Sequence, residues 1–285
     1  MTAPGWTSLH AYLGARQDEF LLDTVRPVVE ASAVQSFFYL RYWEGGPHLR
    51  LRARTTDPDG LYLRLRAAGV PADEQLDARR YQAAAGHAAA LERRTEYDAV
   101  LRRPGTLEYG RYEPDHATYG RGEALDAVEE HFAESTTVAL DVLDQPARTH
   151  TATAILTVLA FGATLGAPAV RHDLIDPGRL QHAWQTSRTE LLPAFSAFNP
   201  DGNAPHQLWS RSACRLRDRL TALRPDRPDA VARALDKCLH LHLNRLGILS
   251  TQEAMLRALT ARAIADWGLC PAGRAGPRSG AEPGR

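Results

Sequence analysis

The sequence predicts an α+β fold, with an N-terminal sheet-bearing part over about residues 1–120 packed on an all-helical C-terminal portion over about 121–269. Three observations predict it. Side-chain character alternates in "WTSLHAYL", "FFYLRYW", "HLRLRAR" and "TLEYGRYEP", the period-2 signature of strands. A Gly-Gly-Pro turn joins the middle two runs. After Gly122 the long runs are all helix-periodic, with no convincing strand between them.

Trp6 to Leu13 reads as the first strand. A helical pattern follows through "QDEFLLDTVRPVVEAS", with Leu21, Val25, Val28 and Val29 at helical spacing and Pro27 as an irregularity. Phe37 to Trp43 and His48 to Arg54 are the next two strands. The first of them carries Phe37, Tyr39, Arg41 and Trp43 on one face and Phe38, Leu40 and Tyr42 on the other. Aromatics on both faces predict a central strand. Asp57 to Ala68 and "YQAAAGHAAALERRTEYDAVLRR" read as helical, and Thr106 to Pro114 as a last strand. The order is that of a ferredoxin-like split βαβ sheet with an insertion before its last strand. The remaining helices are "EALDAVEEHFAESTTVALDVLDQ", "RTHTATAILTVLAFGATLG" and "PDAVARALDKCLHLHLNRLGIL". Residues 1–269 read as one α+β unit rather than two domains. The Gly-, Pro- and Arg-rich residues 270–285 read as a disordered tail.

A chain of 285 residues with 44% hydrophobic side chains can build a substantial core. Lys+Arg and Asp+Glu both total 34, so an anion-binding surface has to be local, and bulk nucleic-acid binding is disfavoured. Cys214, Cys238 and Cys270 form no CxxC pair and are odd in number, which argues against a disulfide framework or a structural zinc site. The N-terminus lacks the regions of a signal peptide, and no run approaches the ~18 apolar residues of a membrane span. A cytoplasmic protein with no membrane partner and no direct nucleic-acid contact is expected. No GxGxxG, Walker, GxSxG or kinase signature appears, so no nucleotide cofactor or hydrolase triad is expected.

Three constellations carry chemistry. In "HLRLRAR", His48, Arg50, Arg52 and Arg54 share one strand face. Such a face is either wet or built for an anion, and a guanidinium is suited to gripping a carboxylate bidentately. In "DKCLHLHLNRLG", His240 and Asn244 stack four residues apart on one flank of a helix, whereas His242 points away. A His-x-His pair cannot chelate one metal from a regular helix, so no metal site is expected; His240 is a core histidine or a proton-transfer group. In "YEPDHATYGRGEAL", His116 and Tyr119 lie near a turn, and the pattern by itself favours a strand end followed by a capped helix.

Together, "FFYLRYWEGGPHLRLR", "YEPDHATYGRGEAL" followed by "HFAESTTVAL", and "LHLHLNRLGI" resemble the thiopeptide-type bacteriocin biosynthesis family. That family is related to the C-terminal glutamate-elimination domain of lantibiotic (lanthipeptide) dehydratases. The resemblance implies a lyase that eliminates glutamate from glutamylated Ser or Thr of a precursor peptide, leaving dehydroamino acids. Arg50 and Arg52 match the family's Arg-x-Arg and His240 its histidine before "NR", which implies that these three are catalytic. Arg41, His48, His116, Tyr119, Arg121 and Asn244 are the implied substrate-binding residues. A precursor peptide with a leader and a separate glutamylating subunit are the implied partners, and no cofactor is implied.

One departure bears on the reaction. Elimination domains read Arg-Tyr-Gly-Gly where this chain has Thr118-Tyr119-Gly120-Arg121, which leaves Arg121 or His116 as the substitute cation. The same family includes stand-alone pyridine synthases, which join two dehydroalanines by a formal [4+2] cycloaddition with macrocycle closure and leader loss. A third reading is a non-catalytic leader-binding scaffold.

Overall fold

A computed structural model describes residues 5–72, 76–92, 94–196 and 201–267. The expected tail, with Cys270 in it, lies outside the described residues.

Strands β1 (Trp6–Tyr12), β2 (Val34–Tyr42), β3 (His48–Thr55) and β4 (Leu107–Tyr109) form one antiparallel sheet in the order β2-β3-β1-β4. Gly45 and Gly46, at φ 78° and 113°, supply the left-handed backbone that the β2–β3 turn needs. A helical segment links β1 to β2, comprising α1 (Gln17–Phe20), a π-helical turn (Leu21–Val25) and α2 (Arg26–Glu30). Pro27 has no N–H to donate into the preceding turn, and the helix widens there. Phe20, Leu21 and Val25 pack on Leu9, Ala11, Tyr39, Leu49 and Leu51, which make up one face of the sheet. Helix α3 (Pro58–Ala68) starts on Asp57, whose side chain accepts from the Gly60 N–H at 2.9 Å, and buries Leu61 and Leu65 in the same layer. Helix α4 (Ala78–Leu91) follows.

The C-terminal portion holds α5 (His116–Tyr119), α6 (Glu123–Leu143), α7 (Ala147–Leu165), a 3-10 turn (His172–Leu174), α8 (Pro177–Ser196), α9 (Pro205–Leu223), α10 (Pro228–Arg245) and α11 (Ser250–Trp267). Phe132, Trp209, Leu220, Leu239 and Leu243 form the interior of this layer, and Phe38 enters it from the sheet. Each such buried side chain contributes roughly 1.5–3 kcal/mol. Helices α7 and α11 approach closely at Gly162, where a Cβ would meet Ile264 Cδ1 at 2.7 Å.

Three sequence expectations are corrected. Strand β2 lies at the edge of the sheet rather than in its centre. It looks central because both faces are covered and because α10 takes the place of a neighbouring strand. Asn244 there accepts from the Arg41 N–H at 2.9 Å and donates to the Arg41 carbonyl at 3.0 Å. Its carboxamide thus closes part of an open edge that would otherwise be a pairing liability. Asn244→Leu is expected to destabilise the fold by about 1–3 kcal/mol in urea denaturation, since it orphans both Arg41 groups; unchanged stability contradicts this role.

The helix expected through residue 103 ends at Leu91. Beyond it the chain docks on the β2–β3 turn, where Gly45 N–H donates to the Asp98 carbonyl at 3.1 Å and Arg102 N–H to the Gly45 carbonyl at 2.7 Å. The last strand is only three residues long, because at Gly110 the backbone closes over the His10 ring and a Cβ would overlap it.

Candidate functional site

The register of β1, β2 and β3 sets out the arginine face in rows. Ser8, Arg52 and Phe38 stand in one row, His10, Arg50 and Leu40 in the next, and Tyr12, His48 and Tyr42 in the third; Trp6 pairs with Arg54 beyond the first. Helix α6 covers the Trp6 and Arg54 end. Glu129 there accepts from Trp6 Nε1 at 2.6 Å, from Tyr112 Oη at 2.7 Å and from Arg54 at 3.0 Å. At the opposite end Glu44 is gripped by both terminal nitrogens of Arg94, each at 2.9 Å, and accepts from the Asp98 N–H at 2.9 Å. Arg50 and Arg52 lie between these two satisfied clusters.

Their pairing differs from that of Arg54. Arg50 donates from Nε to His48 Nε2 at 3.2 Å, lies 3.4 Å over the Tyr42 ring and reaches Glu44 only at 3.7 Å. Arg52 is 4% exposed and donates to the Ser8 hydroxyl and, at 3.5 Å, to the Arg111 carbonyl. Among the described residues no carboxylate is within ion-pair distance of it. Burial, and secondarily Arg50, pull its pKa down to about 10, so it stays charged at neutral pH. A buried cation without an anion is costly, and an incoming carboxylate would relieve that cost.

The histidines on this face carry no charge at neutral pH. Burial and the neighbouring basic groups lower His10 to about 3; burial, with Arg50 and Arg52, lowers His48 to about 4 despite the Gly46 carbonyl. His48 donates from Nδ1 to that carbonyl at 2.8 Å, which leaves Nε2 as the acceptor for Arg50. His48 therefore orients Arg50 and has no ring nitrogen left for a substrate. The unfolded chain binds protons at these sites near the ordinary value of 6.5, whereas the folded chain does so only near 3–4. Stability is accordingly expected to be full above about pH 6.5 and to fall as pH drops from there towards 4. Denaturation midpoints across that window check this, and a His48→Gln variant should show a shallower fall.

The other expected residues sit elsewhere. Arg41 lies on the opposite sheet face, donating to the Arg245 carbonyl at 2.9 and 3.1 Å, to Gln17 at 3.1 Å and to Asp18 at 2.5 Å. Tyr119 is buried with its ring 5.4 Å from that of Phe132, His116 Nδ1 is 3.0 Å from the Gly120 carbonyl, and Arg121 is exposed. Asp115 caps α5, accepting from the Thr118 N–H and hydroxyl, and Arg224 reaches this turn, 3.4 Å from the Thr118 carbonyl.

On α10, His242 and Arg245 are fully buried towards α6, where both meet the Ser135 hydroxyl, at 2.9 and 3.2 Å. His240 is turned to α11, where Nδ1 donates to Glu253 at 2.8 Å, and its side chain remains 35% exposed. Its hydrogen-bond and ion-pair partners do not include Arg50 or Arg52. His240 lies one helical turn from Asn244, and hence from the β2 edge at Arg41, next to the Leu40–Arg50 pair.

Ser8, His10, Glu44, Tyr42 and Glu253 were not among the expected site residues. Alternation in "WTSLHAYL" places Ser8 and His10 on one face of β1, but only the strand register puts that face beside the arginines. Among the described residues no group of three or more His, Cys, Asp or Glu is placed to hold a metal ion, and no helix is long and apolar enough to cross a membrane.

A family model described as lantibiotic biosynthesis dehydratase C-term matches residues 6–264. Among solved structures, a pyridine synthase, TbtD, from thiomuracin biosynthesis is similar over 93% of this chain and 99% of its own, with TM-score 0.71 and 22% identity. TsrL is similar over 93% of this chain and 96% of its own, with TM-score 0.64 and 20% identity. The tRNA-dependent lantibiotic dehydratase MibB from Microbispora sp. 107891 matches over 93% of this chain but only 28% of its own, with TM-score 0.53 and 21% identity. At these identities the likenesses bear on the fold alone. No curated protein sequence matches the chain.

Proposed function

The chain belongs to the lantibiotic biosynthesis dehydratase C-terminal family, and from that premise we propose that it eliminates glutamate from glutamylated Ser or Thr residues of a ribosomally made precursor peptide. The observation that carries this reading is Arg52, a buried guanidinium with no carboxylate at ion-pair distance among the described residues, beside an Arg50 that reaches Glu44 only at 3.7 Å, a carboxylate already held by Arg94. The two cations take the glutamyl carboxylate and the carboxylate that departs. His240 removes the α-proton, the electron pair forms the Cα–Cβ double bond, and the Cβ–O bond breaks to release glutamate.

In this reading a separate subunit loads the glutamate and the substrate is a precursor peptide with its leader. In this reading the reaction takes place in the cytoplasm. We read the strand order, with β3 between β1 and β2, as the split βαβ arrangement of ferredoxin-like sheets, with α3 and α4 inserted before β4.

A pyridine synthase is the second reading, and Thr118 in place of the expected arginine favours it, since a cycloaddition of two dehydroalanines has no glutamate to hold. Offering the purified protein a glutamylated peptide and, separately, a peptide bearing two dehydroalanines decides between them by product mass. Loss of glutamate without ring closure is expected. Ring closure on the second peptide overturns the proposal, and binding of both peptides without conversion leaves a scaffold.

A further inference from the structure

We propose that Glu253 is a positioning residue for His240: it accepts the Nδ1 hydrogen bond and so leaves Nε2 as the unprotonated nitrogen. The inference rests on the reading of His240 as the base and deepens it. Glu253 stands in the first turn of α11, where the helix N-terminus favours a carboxylate, and its side chain is only 8% exposed. One oxygen, Oε2, is 2.8 Å from His240 Nδ1; the other, Oε1, is 2.7 Å from Arg257 Nε. Arg257 is 4% exposed and is itself fixed by the Asp236 side chain and by the carbonyls of Asp236 at 3.1 Å and Ala169 at 3.3 Å. Burial pushes the Glu253 carboxyl up, but His240 and Arg257 outweigh it and hold the group below its ordinary value.

This arrangement exceeds what packing a half-exposed histidine requires. A carboxylate can only accept, so its hydrogen bond assigns the proton to Nδ1. The same carboxylate then faces the imidazolium that forms when Nε2 takes a proton. The logic is that of an oriented base whose partner selects the tautomer. Asp236 and Arg257 are the other charged groups of the cluster, and Arg257 determines which Glu253 oxygen is left for His240.

That last point gives a test that shape alone would not pass. In Glu253→Gln the Arg257 N–H still requires an oxygen, so the amide NH2 has to face His240 Nδ1 and force the proton onto Nε2. In ¹⁵N spectra of the folded wild type, with the His240 signal assigned by its loss in His240→Gln, the neutral ring is expected as the Nδ1–H tautomer. In Glu253→Gln it is expected as Nε2–H. Turnover of the glutamylated peptide should fall about 10²-fold in kcat with KM within about threefold. Adding Arg257→Met to Glu253→Gln frees the amide to turn its oxygen to His240 and should recover about tenfold of that loss. An Nε2–H tautomer in the wild type overturns the proposal whether or not any variant folds, and so does a Glu253→Gln enzyme with wild-type kcat. If the tautomers are as stated but His240→Ala keeps full activity, it is the assignment of His240 as base that fails.

Discussion

Arg52→Ala is expected to lower glutamate release from a glutamylated peptide by about 10²–10³-fold while leaving the protein as stable as the wild type or more so. The first half follows from the removal of a preorganised cation at the point where negative charge develops, a loss of roughly 3–4 kcal/mol of transition-state stabilisation. The second follows from its surroundings: Arg52 is buried, its pKa is pulled down to about 10, and its partners are a hydroxyl and a carbonyl rather than a carboxylate. Removing an arginine that neutralises a buried carboxylate would instead destabilise, as is expected for Arg54, itself partly exposed, which holds the buried Glu129 at 3.0 Å. Arg52→Lys should not restore the activity, because an ammonium lacks the planar fork of a guanidinium. Turnover and thermal denaturation on the same preparation check both halves, and a variant that melts early but turns over normally contradicts them.

His240→Ala is expected to cut kcat by about 10²-fold or more with stability spared to within about 1–2 kcal/mol. The ring is 35% exposed and lies outside the leucine stripe of α10, where Leu235, Leu239 and Leu243 carry the packing. Glu253 keeps its Arg257 partner when the imidazole is gone. His242 is the contrasting case, fully buried and bonded to Ser135, so His242→Ala should lose stability first. Comparing the two variants by urea denaturation and by single-turnover rates separates a proton-transfer group from a core histidine.

What the sequence reveals here is what depends on neighbours in the chain. Alternation alone places His48, Arg50, Arg52 and Arg54 on one face, and the i, i+4 spacing places His240 beside Asn244. It does not say what lies across from them. Strand β2 reads as central because burial on both faces looks the same whether the next neighbour is a strand or a helix, and only the fold reveals the Asn244 carboxamide standing in for a strand. Trp6 and Glu129 lie far apart in the sequence, as do Tyr39 and the Arg245 carbonyl, and no local pattern connects them. The run from residue 94 to 103 keeps some helical periodicity, yet Asp98 and Arg102 bind the Gly45 turn, and those tertiary bonds outweigh local propensity. Glu253 lies outside the "LHLHLNRLGI" motif, past the α10–α11 turn, so the motif that singles out His240 is silent about the group that orients it.

One experiment brings the arginine face and the helix together: a crystal structure with a peptide in which the glutamyl ester is replaced by the amide, which cannot eliminate. The proposal expects the glutamyl carboxylate within about 3 Å of the Arg50 or Arg52 guanidinium, and His240 Nε2 within about 4 Å of the substrate α-carbon. A carboxylate bound away from both arginines, or a His240 ring more than about 15 Å from both guanidinium groups, contradicts it.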